Sequence, residues 1–382
     1  MNPDLAPSLP PESTAERFVL RAARADDLDA LERMARASAA GITTLPPDRA
    51  ALQARLARSA ASFASADQPS GEEVYVFVLE DRRRAAHGGD NLVGTCAITA
   101  CAGFADRFYC YRNETLVHAS AALQSRNRVH ILQLCHALTG TTLLSSFYID
   151  PAYEHGAAPQ LLSRARLLFI AEFAERFSDH IASESPGLAD CDGRCPFWDA
   201  VGRRFFDMDY PQAERLTMGR SKAFIADLLP QAPIYVPLLP EQAQWAIGQL
   251  NPVAEVPYAI LMEEGFESET YVDVFDGGPI VDAPLATLRT VAQSRAAPVS
   301  WSDHDSHGNL GWHLVATTRR DGFRAVLARA QWQSGHWCLA ARDAERLGLQ
   351  ASTDRGARLR VAPLAQAGSP VAPDGVDAGE TA

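Results

Sequence analysis

The chain has 382 residues, with 47% hydrophobic and 21% charged side chains and a net charge of −12 at pH 7. That length suits two or three domains, and that apolar content buries a core rather than leaving a disordered coil. The acidic balance speaks against nucleic acid or an anionic membrane as the main partner, because both select basic surfaces. No run approaches the ~20 apolar residues of a membrane span, and the first residues hold no apolar stretch of signal-peptide type. A cytoplasmic protein is expected. Seven cysteines without a regular framework suit reduced thiols. Cys191 and Cys195 lack the second pair or the spaced histidines of a zinc site, so two loop cysteines is the preferred reading and no metal is expected.

In chain order, residues 1–15 are rich in Pro, Ser and Ala and read as a disordered tail. FVLRAA from Phe18 reads as a strand. A helix follows, with Asp26 as N-cap and Leu28, Leu31 and Met34 on one face. A second helix starts near Asp48, with Leu52 and Leu56 in its stripe. VYVFVLED from Val74 and LVGTCAITA from Leu92 form an antiparallel hairpin across a polar turn containing Arg82–Arg84, read as solvated. LLSSFYID is a strand ending at Asp150. Pro151–Pro159 is a loop, and 160–177 is a helix lined by Leu161, Leu162, Ala165, Leu168, Phe169 and Phe173. HIASES from His180 is a short strand. PFWDAVGRRFFDMDY from Pro196 and YAILMEEGFESETYVDVFDGGP from Tyr258 share a build of short helix, aromatic residue, then strand, which hints at duplication. Trp312–Thr317, Phe323–Ala330, Trp337–Ala340 and Leu359–Ala362 are short β-like runs of a small module. Residues 366–382 have no apolar period and read as a second disordered tail.

The order strand, two helices, hairpin, strand, helix, strand, helix, strand resembles the GNAT acyltransferase fold. The expected class is α/β (α+β): a GNAT-like mixed, mostly antiparallel sheet flanked by helices. A tandem GNAT-like repeat is expected, with a first acyltransferase domain at 16–217, a second half at 218–295 and a small β-rich module at 296–365.

Local strings carry a more specific resemblance. GITTLP from Gly41, YVFVLED, ETLVHAS from Glu114, PFWDAVGRRFF, KAFIADLLP from Lys222, PIYVPLLPEQAQ from Pro233, IGQLNP from Ile247, EEGF from Glu263 and YVDVFDGGP from Tyr271 occur in the order of the arginine N-succinyltransferase family. YRNETLVHAS, LCHALTGTTLLSSFYID and PIYVPLLP resemble its alpha type. The resemblance implies succinyl transfer from succinyl-CoA, as co-substrate and not a tightly bound cofactor, to the α-amine of L-arginine or L-ornithine. It also implies a beta-type partner chain.

Two departures from the family pattern stand out. GNAT-type enzymes cradle the CoA pyrophosphate on backbone N–H groups of a Gly-rich turn at a helix N-terminus. Here Ala157, Ala158 and Pro159 replace Gly-x-Gly, and Gly156 sits one step early. Two Cβ atoms then crowd the approach, and Pro159 lacks a donor. Arg164 and Arg166 follow, with solvated helix arginines preferred over phosphate ligands. At IGQLNP the family's proton-donor histidine is replaced by Asn251, whose amide cannot carry a proton usefully. A general acid is typically worth ~10²–10⁴-fold in rate. An active subunit, a degenerate partner-binding subunit and a single-chain acyltransferase with another donor all stay open.

Other candidates come from the residue types. His118 would pair with Glu114 four positions away on a helix, and His136 is the next titratable group; a structural histidine is the preferred reading of both. A guanidinium substrate needs carboxylates, which makes Asp273, Asp276 and Glu184 substrate-binding candidates. For Asp276, turn formation in DGGP weighs equally. Phe147 lies where the family has an acyl-CoA contact, against plain core packing. Trp198 and Phe205 read as core.

Overall fold

The computed structural model describes residues 15–38, 45–66, 68–86, 90–190, 192–217, 227–302 and 311–364. The expected tails, apart from Ala15, lie outside them, as do Cys191, most of GITTLP and the first part of KAFIADLLP. The strands are β1 (Phe18–Ala22), β2 (Val74–Asp81), β3 (Leu92–Thr99), β4 (Cys110–Ser120), β5 (Ser125–Cys135), β6 (Thr142–Ile149), β7 (His180–Glu184) and β8 (Ile234–Tyr235). They continue as β9 (Glu267–Val272), β10 (Pro279–Pro284), β11 (Arg295–Ser302), β12 (Trp312–Thr317), β13 (Arg324–Arg329), β14 (Gln331–Gln333), β15 (His336–Ala340) and β16 (Arg358–Pro363). The helices are α1 (Leu28–Ala37), α2 (Arg49–Ala64), α3 (Arg82–Ala86), α4 (Ala157–Glu172), α5 (Pro196–Ala200), α6 (Arg203–Phe206), α7 (Tyr210–Thr217), α8 (Glu241–Ala246), α9 (Glu255–Glu264), α10 (Arg289–Gln293) and α11 (Ala341–Arg346).

All these strands join one mixed sheet in the order β14-β15-β11-β16-β12-β13-β1-β2-β3-β6-β7-β10-β9-β4-β5-β8. Pairing is antiparallel except at β6–β7 and β11–β15. The strands of the C-terminal module form as expected, but they continue the main sheet: Leu20 of β1 pairs with Ala325 of β13. The reason is burial. Phe18, Val19 and Leu20 are all at most 2% exposed, so β1 needs a neighbour on each edge as well as on each face.

Helices cover both faces of the central strands. On one face, Leu31 and Met34 of α1 and Leu56 of α2 pack on Val74, Val76 and Val78. On the other, α4 lies over Phe77, Leu314 and Phe323 and is itself covered by α9 and α10. Helix α4 is therefore buried on all sides, and its Phe169 rings with Tyr75, Phe77 and Phe323 at centroid distances of 4.9–5.3 Å. Full burial of one such side chain is worth roughly 1.5–3 kcal/mol.

Several expectations are corrected. ETLVHAS is strand β4, not helix: Thr115 and Val117 are β-branched, and Glu114 pairs with Ile131 of β5. Strands β4 and β5 form a long hairpin that sequence reasoning did not find. Only its base joins the sheet, through Tyr111 and Arg112 to β9 and through Ile131 and Leu132 to β8. PFWDAVGRRFFDMDY gives α5 and α6 and leads into α7 rather than a strand, so it does not match the helix–strand build of α9 and β9. Phe205 is 46% exposed, whereas Trp198 is fully buried as expected. Arg82–Arg84 are exposed as expected, but they start helix α3 rather than form a turn, and Arg82 Nη2 donates to Glu345 Oε1 at 2.8 Å. Arg164 and Arg166 are buried in α4 at 1% and 2% exposure.

Candidate active site

Strand β6 breaks its ladder in the middle. Thr95 pairs with Tyr148 and Ala97 with Ser145, so β6 carries an extra residue between them. Ser146 takes it up with φ at +52°, the left-handed region that favours glycine. Such a residue costs about 1–3 kcal/mol and persists only where its surroundings enforce it. The parallel register between β6 and β7 ends at Leu144 and Ser183, just before this bulge. Past that point the two strands part.

The bulge is flanked by arginines from two helices. Arg55 of α2 donates through Nη2 to Ser145 Oγ at 3.3 Å and Ser146 Oγ at 3.1 Å. The guanidinium carbon of Arg166 lies 5.6 Å from the Phe147 ring centroid. Phe147 is half-buried and packs on the core around α4.

The N-terminus of α4 lies beyond the bulged strand. Gly156 is its N-cap, at φ 80° and ψ −136°. The helix begins at Ala157, not at Gln160. Ala157 and Ala158 are each 1% exposed and their methyls join the core, so they do not line an open phosphate approach. Pro159 stands in the first turn, where an N–H has no helical acceptor. The helix loses no bond there, but its terminus offers an anion one donor fewer. The preceding loop is pinned: Tyr153 donates to Asp81 Oδ2 at 3.0 Å, and Arg17 Nε to Asp81 Oδ1 at 2.6 Å.

The substrate candidates gather at the far end of β7. Asp276 is 4% exposed and accepts from Gly187 N and Gly278 N, both at 2.8 Å. Tyr210 donates to the same carboxylate at 3.3 Å, and burial beside Asp276 and Glu214 raises the Tyr210 hydroxyl well above its usual pKa. Asp273 accepts from Phe275 N at 2.7 Å. A side chain at Gly187 would collide with the backbone of Asp276, its Cβ 2.6 Å from the carbonyl oxygen. Asn251 joins this knot: its N–H donates to Pro186 O at 2.9 Å, and its Oδ1 accepts from Val253 N at 3.2 Å, capping a short 3₁₀ turn. Glu184 ends β7, half-buried, where it meets Ile280. Asp276 thus carries the turn chemistry that DGGP suggested, and Asp273, just past the end of β9, accepts from the same turn.

The histidines stand apart. His118 is exposed on the β4–β5 hairpin, its ring 6.0 Å from that of Tyr235. His136 is exposed just after β5 and faces Tyr109 at 6.2 Å. At the hairpin base, Cys110 and Cys135 are register partners with Sγ atoms 3.5 Å apart. No group of three or more His, Cys, Asp or Glu fit for a metal occurs among the described residues. Sequence reasoning missed Arg55 and the thiol pair. Arg55 had a signal: it lies four residues before Ser59 on the stripe shared with Leu52 and Leu56.

Fold and site place the chain among α/β proteins whose mixed sheet parts beside a buried helix N-terminus. Residues 18–290 match the family model AstA, described as arginine N-succinyltransferase beta subunit. The arginine N-succinyltransferase subunit alpha of Pseudomonas aeruginosa is 45% identical over 333 residues, 87% of this chain and 96% of that one. An arginine N-succinyltransferase of Salmonella paratyphi B is 37% identical over 87% of this chain and 95% of its own. The solved structure of arginine/ornithine succinyltransferase subunit AI from Pseudomonas aeruginosa superposes with a TM-score of 0.80 at 42% identity. That superposition covers 91% of this chain and 99% of the other. The chain belongs to the arginine N-succinyltransferase family.

Proposed function

We propose that the chain is an alpha-type subunit of a succinyltransferase of arginine catabolism. It transfers succinyl from succinyl-CoA to the α-amine of L-arginine, and to L-ornithine as a second acceptor, together with a beta-type partner chain. The observation that carries this is the 45% identity to a subunit alpha across 96% of its length. No described helix is long and apolar enough to cross a membrane, which suits the proposed cytoplasmic setting.

The chemistry asks for a deprotonated amine and a stabilised thiolate leaving group. Asn251 holds backbone groups, and its amide does not ionise as a proton donor must. The α4 N-terminus offers a reduced set of donors. These two observations favour a second reading, in which the chain is a degenerate subunit and the partner supplies the working CoA site. CoA thiol release with succinyl-CoA and arginine separates the two. A rate from this chain alone supports an autonomous enzyme. A rate only with the partner, above the partner's own, supports the composite enzyme. Silence in both settings leaves a scaffolding role.

A further inference from the structure

Removing a guanidinium from water is costly unless an anion faces it. The deeply buried arginines mostly obey this. Arg164 meets Glu264 at 2.6 Å, Arg21 meets Asp27 at 2.7 Å, and Arg346 meets Asp343 at 2.7 Å. Arg55 does not. Among the described residues no carboxylate lies within ion-pair distance of it. Its acceptors are the Ser145 and Ser146 hydroxyls, and its Nε is sealed from solvent without an acceptor. Burial, with the nearby Arg58 charge, pulls its pKa down to about 10, so it stays protonated at neutral pH.

Its position is held from both sides. One turn further along α2, Ser59 Oγ accepts from Val76 N at 2.9 Å, and Ser62 Oγ accepts from Val74 N at 3.2 Å. These bonds lock the helix to the edge of β2. Below the side chain, Ser146 is held in its strained backbone conformation. Arg166, beside Phe147, donates to Ser163 O and Ser163 Oγ, both at 3.1 Å, and among the described residues it too meets no carboxylate. Two positive charges therefore meet the bulge, and among the described residues no carboxylate pairs with either. The Arg55 residue is only half-buried, so part of it still meets solvent.

We propose that the β6 bulge is a carboxylate-binding site in which Arg55 supplies the charge and the hydroxyls of Ser145 and Ser146 orient it. The proposal rests on the acyl-transfer reading and deepens it. A succinyl donor differs from a simple acyl donor by a free carboxylate, and an amino-acid acceptor carries another. Guanidinium is the cation suited to either, because it binds carboxylate through two N–H groups at once.

The test is calorimetric titration of the full chain with two pairs of ligands. One pair is succinyl-CoA and butyryl-CoA; the other is L-arginine and L-argininamide. Each pair differs by one carboxylate. The wild type is expected to prefer the carboxylate-bearing member of one pair by about tenfold or more. Arg55→Gln erases that preference, and Arg58→Gln, altered on the exposed side of α2, keeps it. Loss in the thioester pair assigns the site to the acyl donor; loss in the amino-acid pair assigns it to the acceptor. A wild type indifferent within both pairs, or an Arg55→Gln protein with unchanged preferences, overturns the proposal. If Arg55→Gln does not fold, Arg55→Lys replaces it and is expected to cut the preference; an uncut preference overturns the proposal. If none of the four ligands binds, the acyl-transfer reading fails separately, and succinate decides the site. A succinate-dependent rise in wild-type melting temperature that Arg55→Gln loses upholds it, and no such rise overturns it.

Discussion

Arg164 Nε lies 2.6 Å from Glu264 Oε1, and both side chains are shut off from water. The pair ties central helix α4 to α9. Glu264 is fully used: it also accepts from Arg289 Nη2 at 2.6 Å, Thr290 N at 2.7 Å and Thr290 Oγ1 at 2.9 Å. Removing one partner of such a pair strands the other charge. Glu264→Gln is expected to lower stability by about 3–5 kcal/mol. Arg164→Met combined with Glu264→Leu should cost less than the two single losses added together. Urea denaturation of Glu264→Gln, of Arg164→Met, of Glu264→Leu and of the double variant checks both statements, and strict additivity would show that the pair is not coupled.

Acid is expected to loosen both ends of β2, a central strand of the sheet. Burial pushes the Asp81 carboxyl up, but hydrogen bonds from Arg17, Tyr153 and the Arg83 amide outweigh it and set it below its ordinary 3.8. Glu73 behaves alike: burial raises it, the Ser70 and Gly71 amides and the Arg176 charge lower it, and it ends below 4.5. A depressed native pKa stabilises the fold above the unfolded value, and that stability is lost as the pH falls through the native one. Melting temperature should therefore drop steeply below pH 4.5. Asp81→Asn should melt lower at neutral pH and lose less on acidification. An acid slope equal to that of the wild type would contradict this.

Asn251 caps a turn, so its loss should register in stability rather than in chemistry. Asn251→Ala is expected to cost about 1 kcal/mol, the usual cost of a lost cap. In the complex with a beta-type partner, the pH profile of thiol release should stay where it was. A displaced profile would assign Asn251 a share in proton transfer.

Cys135 should be the most reactive of the described thiols. The hydrogen bond from Cys110 lowers its pKa against the effect of burial, and the same contact raises that of Cys110. Cys96 and Cys195 are buried and pushed up. Alkylation at pH 7, followed by peptide mass spectrometry, should modify Cys135 first. Its labelling rate should rise with pH through a midpoint below the usual 9.0 and move back towards that value in Cys110→Ala. Equal labelling of Cys96 would sink this.

Much of the core fold was legible from local pattern. Val74–Asp81 alternates aromatic and branched apolar residues and is β2 to the residue; Asp48 precedes an apolar stripe and caps α2. ETLVHAS misled because two charged or polar groups four apart suit a helix face and a strand face alike. Its partner, SRNRVHILQLC, is polar for half its length and gave little strand signal. Of the candidate site, the DGGP turn could be read, because Asp and Gly act through their own backbone. The burial of Arg164 and Arg166 could not, because an arginine in a helix looks the same whether water or another helix covers it.

Local physics, acting through periodicity, caps and turn residues over a few positions, set the identity of most elements and the family resemblance of this chain. Only the tertiary structure decided that the C-terminal strands complete the central sheet, that β6 parts from β7 at Ser146, and that Arg55 meets that bulge without a carboxylate. Those are pairings between residues distant in sequence, from 39 to 305 positions apart. Their energies depend on what each group loses when water is excluded, and the chain sets that only once its layers close.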